Sequence, residues 1–123
     1  IFNYFSREFT VAAYKQADLF LFPSNIECSP IVLFECAAAG LPFLSSNAGN
    51  SEEISSWTQG GEILPCKQDE NGYSYAEIEK SVLMLNSFFS DKLKRKKMGE
   101  KSHEHWKEKY SWEKITVEYR EEN

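Results

Sequence analysis

Apolar residues recur at helical spacing and then in short unbroken runs along the first half of the chain. After a predicted strand end at residues 1–3, a helix is predicted over residues 6–16 with one apolar stripe. This stripe consists of Phe9, Ala12, Ala13 and Ala17. The run Leu19–Phe22 is apolar on both faces and is stopped by Pro23, as expected of a parallel strand that helices cover on each side.

A second helix is predicted after the polar loop at residues 24–29. Ser29 is a suitable N-cap, and Pro30 fits the first helical position, where its missing N–H is no loss. The helix is expected to end at Gly40, because Pro42 blocks its continuation.

The rest of the chain continues the alternation and then becomes helical. The next predicted elements are a strand over 43–46, helical turns over 52–57 and a strand over 62–65. From Tyr75 onward only helix signals appear, with breaks near Ser90 and Tyr110, and Trp112 is expected to pin the last helix to the body. The order predicts one domain over 1–123: an α/β body with an open, mostly parallel sheet over 1–66, and a helical tail over 73–123.

Composition and charge narrow the possible functions. With 123 residues, 41% of them hydrophobic, the chain can build a core; because it starts at Ile1, we expect a piece of a longer protein. The net charge of −5 argues against nucleic-acid binding. The basic cluster at 92–97 is interpreted as a solvated helix face, with an acceptor or membrane contact as the alternative.

The three cysteines have no spacing typical of a metal site, so we expect a reduced, cytosolic setting. Cys28 and Cys36 are interpreted as packing residues rather than nucleophiles.

The start of the second helix is a candidate anion site. Backbone N–H groups at a helix N-terminus have no partner inside the helix and attract negative charge. Here the donors are the N–H groups of Ser29, Ile31 and Val32, whereas Pro30 contributes none. The sequence therefore predicts phosphate binding without a basic side chain.

Two carboxylates bracket this candidate site. Glu27 precedes the helix, and Glu35 lies about five residues inside it, or roughly 7.5 Å along the axis, with a side chain that tilts back toward the N-terminus. Carboxylates accept hydrogen bonds from sugar hydroxyls, so a diphosphate flanked by two sugars fits this arrangement. From the residues alone, helix capping and surface solvation remain open alternatives for both glutamates.

Residues 17–54, ADLFLFPSNIECSPIVLFECAAAGLPFLSSNAGNSEEI, resemble the most recognisable segment of family 4 glycosyltransferases. The shared features are a strand ending in Pro-Ser, an E-x7-E motif, an Ala-rich stretch closed by Gly-x-Pro, and a glycine loop ending in Glu-Ile. The tail KYSWEKITVEYREE is similar to the Ser-Trp-Glu helix that closes many of these proteins. The resemblance implies a GT-B enzyme with two Rossmann-like domains, of which this chain is part of the C-terminal, donor-binding one.

The resemblance further implies retaining transfer of a hexosyl unit from a UDP-, GDP- or ADP-sugar, with no cofactor and no metal. The acceptor, a glycan, lipid or small molecule, is expected to meet the missing N-terminal domain. A cytoplasmic location follows, and peripheral contact of the full-length protein with the inner face of the membrane stays open.

The matching positions assign roles to single residues. Glu27 matches the first motif glutamate, the implied catalytic residue that contacts donor-sugar hydroxyls, and Glu35 matches the second, which binds the ribose. The implied donor-binding residues are Glu27, Ser29, Pro30, Ile31, Val32 and Glu35. Gly49 matches the loop glycine. The usual Gly-Phe-Gly is replaced by residues 28–30, and the family's diphosphate-binding Arg and Lys lie upstream, so the chain alone is expected to be inactive. A catalytically silent binding or interaction module is the alternative.

Overall fold

The structure is a computed structural model that describes residues 6–122, so the predicted strand end at residues 1–3 lies outside the described residues. Six helices, five strands and one π-helical turn follow one another in these residues. They are α1 (Arg7–Gln16), β1 (Phe20–Phe22), α2 (Ile31–Ala39), β2 (Phe43–Ser45), α3 (Ser51–Thr58), β3 (Gly61–Ile63), β4 (Cys66–Gln68), β5 (Ser74–Ala76), α4 (Ile78–Ser90), α5 (Lys92–His105), the π-helical turn (Trp106–Tyr110) and α6 (Trp112–Glu122).

The first three strands form a parallel sheet in the order β1-β2-β3. Phe20 pairs with Phe43 across the first ladder, and Leu44 pairs with Glu62 across the second. The central strand β2 is buried along its whole length, which is typical of a parallel strand with helices on both faces. The predicted α/β fold, an open parallel sheet flanked by helices with a C-terminal helix, is confirmed.

The first strand is less covered than predicted. Leu21, in the middle of β1, is 47% exposed, so the prediction that both faces of this strand are covered is wrong. Among the described strands, β1 is paired with β2. Helix α1 likewise contains no buried residue, and Phe9 is 46% exposed. The reason is position, because β1 is the outermost strand of the sheet that residues 6–122 form.

A β-hairpin interrupts the region predicted to be purely helical. Residues 74–76 pair antiparallel with residues 66–68, so the prediction of only helix from Tyr75 onward is wrong. The turn is closed by Asp69, whose Oδ1 accepts from the backbone N–H groups of Asn71 and Tyr73 at 2.9 and 3.0 Å. Three-residue strands are too short to show a periodicity, so the pairing partner decided the conformation.

The helical tail packs back on the body, and its breaks near Ser90 and Tyr110 are confirmed. Helix α5 approaches α2 so closely that a Cβ on Gly99 would lie 2.2 Å from the Gly40 carbonyl oxygen. The expected role of Trp112 is wrong, since its side chain is 77% exposed. Tyr110 makes the contact instead.

The ring of Tyr110 lies 5.6 Å from that of Phe34 and 6.4 Å from that of Trp57, between centroids. These contacts tie the π-helical turn to α2 and α3. None of the helices within residues 6–122 combines the length and the apolar character needed to cross a membrane.

Candidate functional site

The loop after β1 is fixed at its base by two serines. The Ser46 hydroxyl, just beyond β2, donates to the Ser24 carbonyl oxygen. The Ser24 hydroxyl in turn lies 3.1 Å from Glu27 Oε1 and donates to it. These contacts hold the Glu27 carboxylate at the carboxyl ends of the parallel strands, which is where such sheets bind ligands.

The loop after β2 presses against the Glu27–Cys28 backbone at Gly49. This glycine has a φ of 58°, and a Cβ there would lie 2.4 Å from the Cys28 carbonyl oxygen and 2.7 Å from that of Glu27. The Asn50 N–H donates to the same Cys28 oxygen at 3.1 Å. A glycine is required at this position because both the left-handed backbone and the close approach exclude a side chain.

Helix α2 begins one residue later than predicted. Pro30, with φ −71° and ψ 95°, is the N-cap, and no described side chain caps this helix, so the assignment of Ser29 as N-cap is wrong. The extended ψ of Pro30 keeps it outside the helix, while its carbonyl accepts from the Leu33 N–H at 3.1 Å. Ile31 and Val32 occupy the first helical positions, whose N–H groups have no partner within a helix.

A groove of about 580 Å³ opens beside the start of α2. Three predicted site residues, Ser29, Ile31 and Glu35, line it together. The other three do not: Pro30 is buried, and Val32 is half-buried against the core. Glu27 is half-buried in its loop, held by Ser24.

The groove also contains residues that the sequence reasoning missed. Arg7, in the first turn of α1, supplies a basic side chain to the lining of the groove. Trp106, Tyr110 and Trp112 contribute aromatic side chains to the same lining. One signal could have indicated Arg7: a helix that leads into a parallel strand starts at the sheet edge where the strands end, so its first residues face the site.

Glu35 lies on the side of α2 that faces α1. It is half-buried and lines both the groove and a smaller cleft of about 180 Å³ between the two helices. Tyr14 of α1 lines the smaller cleft together with Glu35. The Glu35 side chain is therefore accessible from both spaces.

The two cysteines of this region differ in exposure. Cys28 is exposed, which contradicts its interpretation as a packing residue, whereas Cys36 is fully buried in the core as expected. Burial, and then the nearby Glu35 carboxylate, raise the pKa of the Cys36 thiol well above its ordinary value. Between residues 6 and 122, no three His, Cys, Asp or Glu side chains gather as metal ligands, and the expectation that no metal is needed stays a prediction.

Comparison with known proteins gives two kinds of match. The sequence model described as "Glycosyl transferases group 1" matches residues 1–105. A sulfoquinovosyl transferase of Arabidopsis thaliana is 29% identical over 112 residues, which is 89% of this chain and 20% of that protein. Spore coat protein SA of Bacillus subtilis (strain 168) is 29% identical over 104 residues, 83% of this chain and 25% of that protein. The chain thus spans a fifth to a quarter of the length of these relatives. No solved structure matches it.

Proposed function

This chain belongs to the glycosyl transferases group 1 family, and from that premise we propose that it is the donor-binding part of a retaining, nucleotide-sugar-dependent enzyme. In this proposal the enzyme moves a hexosyl unit from a UDP-, GDP- or ADP-sugar to a glycan, lipid or small acceptor. The Arabidopsis thaliana relative is named for transfer of a sulfoquinovosyl group, which supports a glycosyl unit as the transferred group.

One observation carries the proposal: Ser29, Ile31 and Glu35 line a single groove at the start of α2, together with Arg7. The helix start offers N–H groups and a partial positive charge to phosphate oxygens, and the Arg7 guanidinium adds a full charge. Glu35 offers carboxylate oxygens to ribose hydroxyls. The site thus has complementary groups for both the phosphates and the ribose of a nucleoside diphosphate.

Glu27 serves the other end of the donor in this proposal. Its carboxylate lies in the loop after β1, beside the close contact with Gly49, and not among the residues that line the groove. A donor whose diphosphate sits at the start of α2 extends from the groove toward this loop. Glu27 then accepts hydrogen bonds from hydroxyls of the transferred sugar, the role that the family resemblance gives it.

The chemistry assigned to these residues is electrostatic. When the bond between the sugar and the diphosphate breaks, negative charge grows on the leaving phosphate and positive charge on the sugar ring. The start of α2 and Arg7 stabilise the phosphate charge, while the Glu27 carboxylate stabilises the ring and orients its hydroxyls. No metal or cofactor takes part, the acceptor is held by a domain beyond this chain, and the reaction runs in the cytoplasm.

Calorimetric titration of UDP, GDP and ADP into the purified full-length protein tests the proposal. We expect one of the three to bind with micromolar affinity and Glu35→Ala to weaken that affinity at least about tenfold, as expected when a carboxylate with two ligand hydrogen bonds is removed. Glu79→Ala, in the exposed first turn of α4, is the matched control and should leave binding unchanged.

Three results distinguish the possibilities. If none of the three nucleotides binds at millimolar concentration, or if Glu35→Ala keeps full transfer activity, the site assignment is wrong. Binding of the nucleotide-sugar without any transfer or hydrolysis would identify a catalytically silent module. Transfer with inverted anomeric configuration would refute the retaining mechanism alone.

A further inference from the structure

Helix α5 carries a concentration of positive charge that its own stability does not explain. Residues 92–101, KLKRKKMGEK, contain six basic side chains and one acidic side chain, in a chain whose net charge is −5. Asp91 caps the helix, but no acidic residue lies in its first turn. Cations near a helix N-terminus face the partial positive charge of the helix dipole. Lys97 and Lys101 also repel each other at a spacing of four residues.

The packing of α5 decides which of these side chains face outward. On one side of the helix, Gly99 approaches α2 closely and Ser102 is fully buried. Lys94, Lys97 and Lys101 follow one another at spacings of three and four residues on the opposite side. All three are exposed, and they line one depression of about 500 Å³. These three side chains form the lysine ridge.

The lysine ridge keeps most of its charge available. Lys94 Nζ lies 2.7 Å from Glu62 Oε1, so the charge of Lys94 is partly balanced. Among the side chains that the structure describes, no carboxylate forms an ion pair with Lys97 or Lys101. Two of the three ammonium groups are therefore free to meet an anionic partner.

An apolar side chain belongs to the same surface. Leu93 precedes Lys97 by one helical turn and lines the same depression, and it is 62% exposed. Ammonium groups alone suit any anion, whereas an exposed leucine beside them suits a surface that is charged outside and apolar beneath. A bilayer with anionic headgroups has both properties, and a nucleic-acid backbone offers charge without an apolar layer.

We propose that the lysine ridge and Leu93 dock the full-length protein on anionic lipid headgroups. Lys97 and Lys101 contact the headgroup phosphates, and Leu93 enters the boundary between the headgroups and the acyl chains. The partner is identified by charge complementarity, since a cluster of basic side chains on a helix is what anionic lipid surfaces attract. The docking surface is independent of donor binding and goes beyond the proposed function.

Sedimentation of the full-length protein with lipid vesicles tests the proposal. One set of vesicles contains phosphatidylcholine alone, and the other contains equal parts of phosphatidylcholine and phosphatidylglycerol. We expect binding to the second set only, and Lys97→Gln combined with Lys101→Gln should weaken it about thirtyfold, because each lysine near an anionic surface contributes about fivefold. Leu93→Ser changes no charge and should weaken binding about fivefold through lost apolar contact.

A matched double variant controls for the change in net charge. Lys107→Gln combined with Lys109→Gln removes the same charge from exposed positions of the π-helical turn, outside the depression. Because salt screens charges that do not contact the surface, vesicle binding should change by less than about twofold. The thermal unfolding midpoint of the Lys97 and Lys101 double variant should not fall, since the substitutions remove repulsion within α5.

The outcomes distinguish a lipid surface from other partners. The proposal is overturned if the native protein does not bind the anionic vesicles, or if the two double variants bind them equally well. Release from the vesicles by millimolar inorganic phosphate at constant ionic strength would indicate a site for one free anion instead. Duplex DNA that binds the ridge as tightly as the vesicles, with Leu93→Ser unchanged, would indicate a nucleic-acid surface. Nucleotide titration without vesicles is a separate measurement, so each of these failures leaves the proposed function standing.

Discussion

Replacing Gly49 with alanine tests whether the contact between the two site loops is as close as the structure indicates. Two costs are expected. A residue with a side chain at a φ of 58° has a conformational free energy about 1–2 kcal/mol less favourable than that of glycine. In addition, the new Cβ would lie 2.4 Å from the Cys28 carbonyl oxygen, well inside contact distance, so the loops must separate. That separation strains the hydrogen bond from Asn50 to Cys28, which contributes about 1 kcal/mol.

The same substitution at Gly72 provides a control for the first cost alone. Gly72 has a φ of 82°, but a Cβ there would meet no atom within 4 Å. We therefore expect Gly72→Ala to lower the free energy of unfolding by about 1 kcal/mol and Gly49→Ala by about 3 kcal/mol, the difference being the cost of separating the loops. Equilibrium urea denaturation measures both values.

A second measurement relates the loop contact to the site. Because Gly49 lies against the Glu27 backbone, Gly49→Ala should also weaken nucleotide-sugar binding more than binding of the nucleotide alone. If Gly49→Ala and Gly72→Ala destabilise the protein equally, the close approach of the two loops does not exist in solution and the reasoning is refuted.

Four other predictions concern packing, charge and thiol chemistry. Gly99→Ala should lower the free energy of unfolding by about 1–3 kcal/mol, because the new methyl separates α5 from α2, and an unchanged urea midpoint would contradict this packing. Lys94→Met should change the free energy of unfolding by less than about 1 kcal/mol. Lys94 Nζ lies 2.7 Å from Glu62 Oε1, but the ion pair is partly exposed and therefore weak. A larger loss of stability that vanishes in about 1 M salt would contradict this prediction. A thiol reagent at pH 8 should label exposed Cys28 long before Cys36, and equal rates would contradict the burial of Cys36. Because the raised pKa of Cys36 keeps its proton bound in the folded state while the unfolded chain releases it, the full stability is present below about pH 9. It should fall above that pH by at most about 1.4 kcal/mol per pH unit, and constant stability to pH 11 would refute the assignment.

The alternation of helices and strands could be predicted because its signals are local. Gly40 and Pro42 end α2 wherever the chain folds, and Gly40 indeed adopts the left-handed C-cap conformation. The strand at the centre of the sheet, residues 43–45, likewise lies within the range of 43–46 predicted from the sequence. The linked features over residues 17–54 likewise indicated a glycosyltransferase by their order and spacing, in agreement with the match to glycosyl transferases group 1, whereas the assignment to family 4 stays a prediction.

The hairpin and the exposed aromatic side chain show where local signals fail. Residues 74–76 form a strand only because residues 66–68 are available as a partner, and no property of the three residues themselves favours that pairing. Trp112 is a large aromatic residue and so suited to packing, yet Tyr110 packs on the body in its place. The π-helical turn directs the Tyr110 ring toward Phe34 of α2 and Trp57 of α3. Which aromatic residue is buried depends on the path of the backbone.

The sequence by itself therefore determined the fold class, the membership of a glycosyltransferase family and the residues that are candidates for the donor site. The tertiary structure decided which of them meet: Ser29, Ile31 and Glu35 share one groove, and Glu27 lies apart in its loop. It also added Arg7 to that groove, from a helix far from Glu35 in the sequence. The physical reason is that periodicity and turn chemistry are properties of neighbouring residues, whereas a binding groove is formed by surfaces that meet only after the chain has packed.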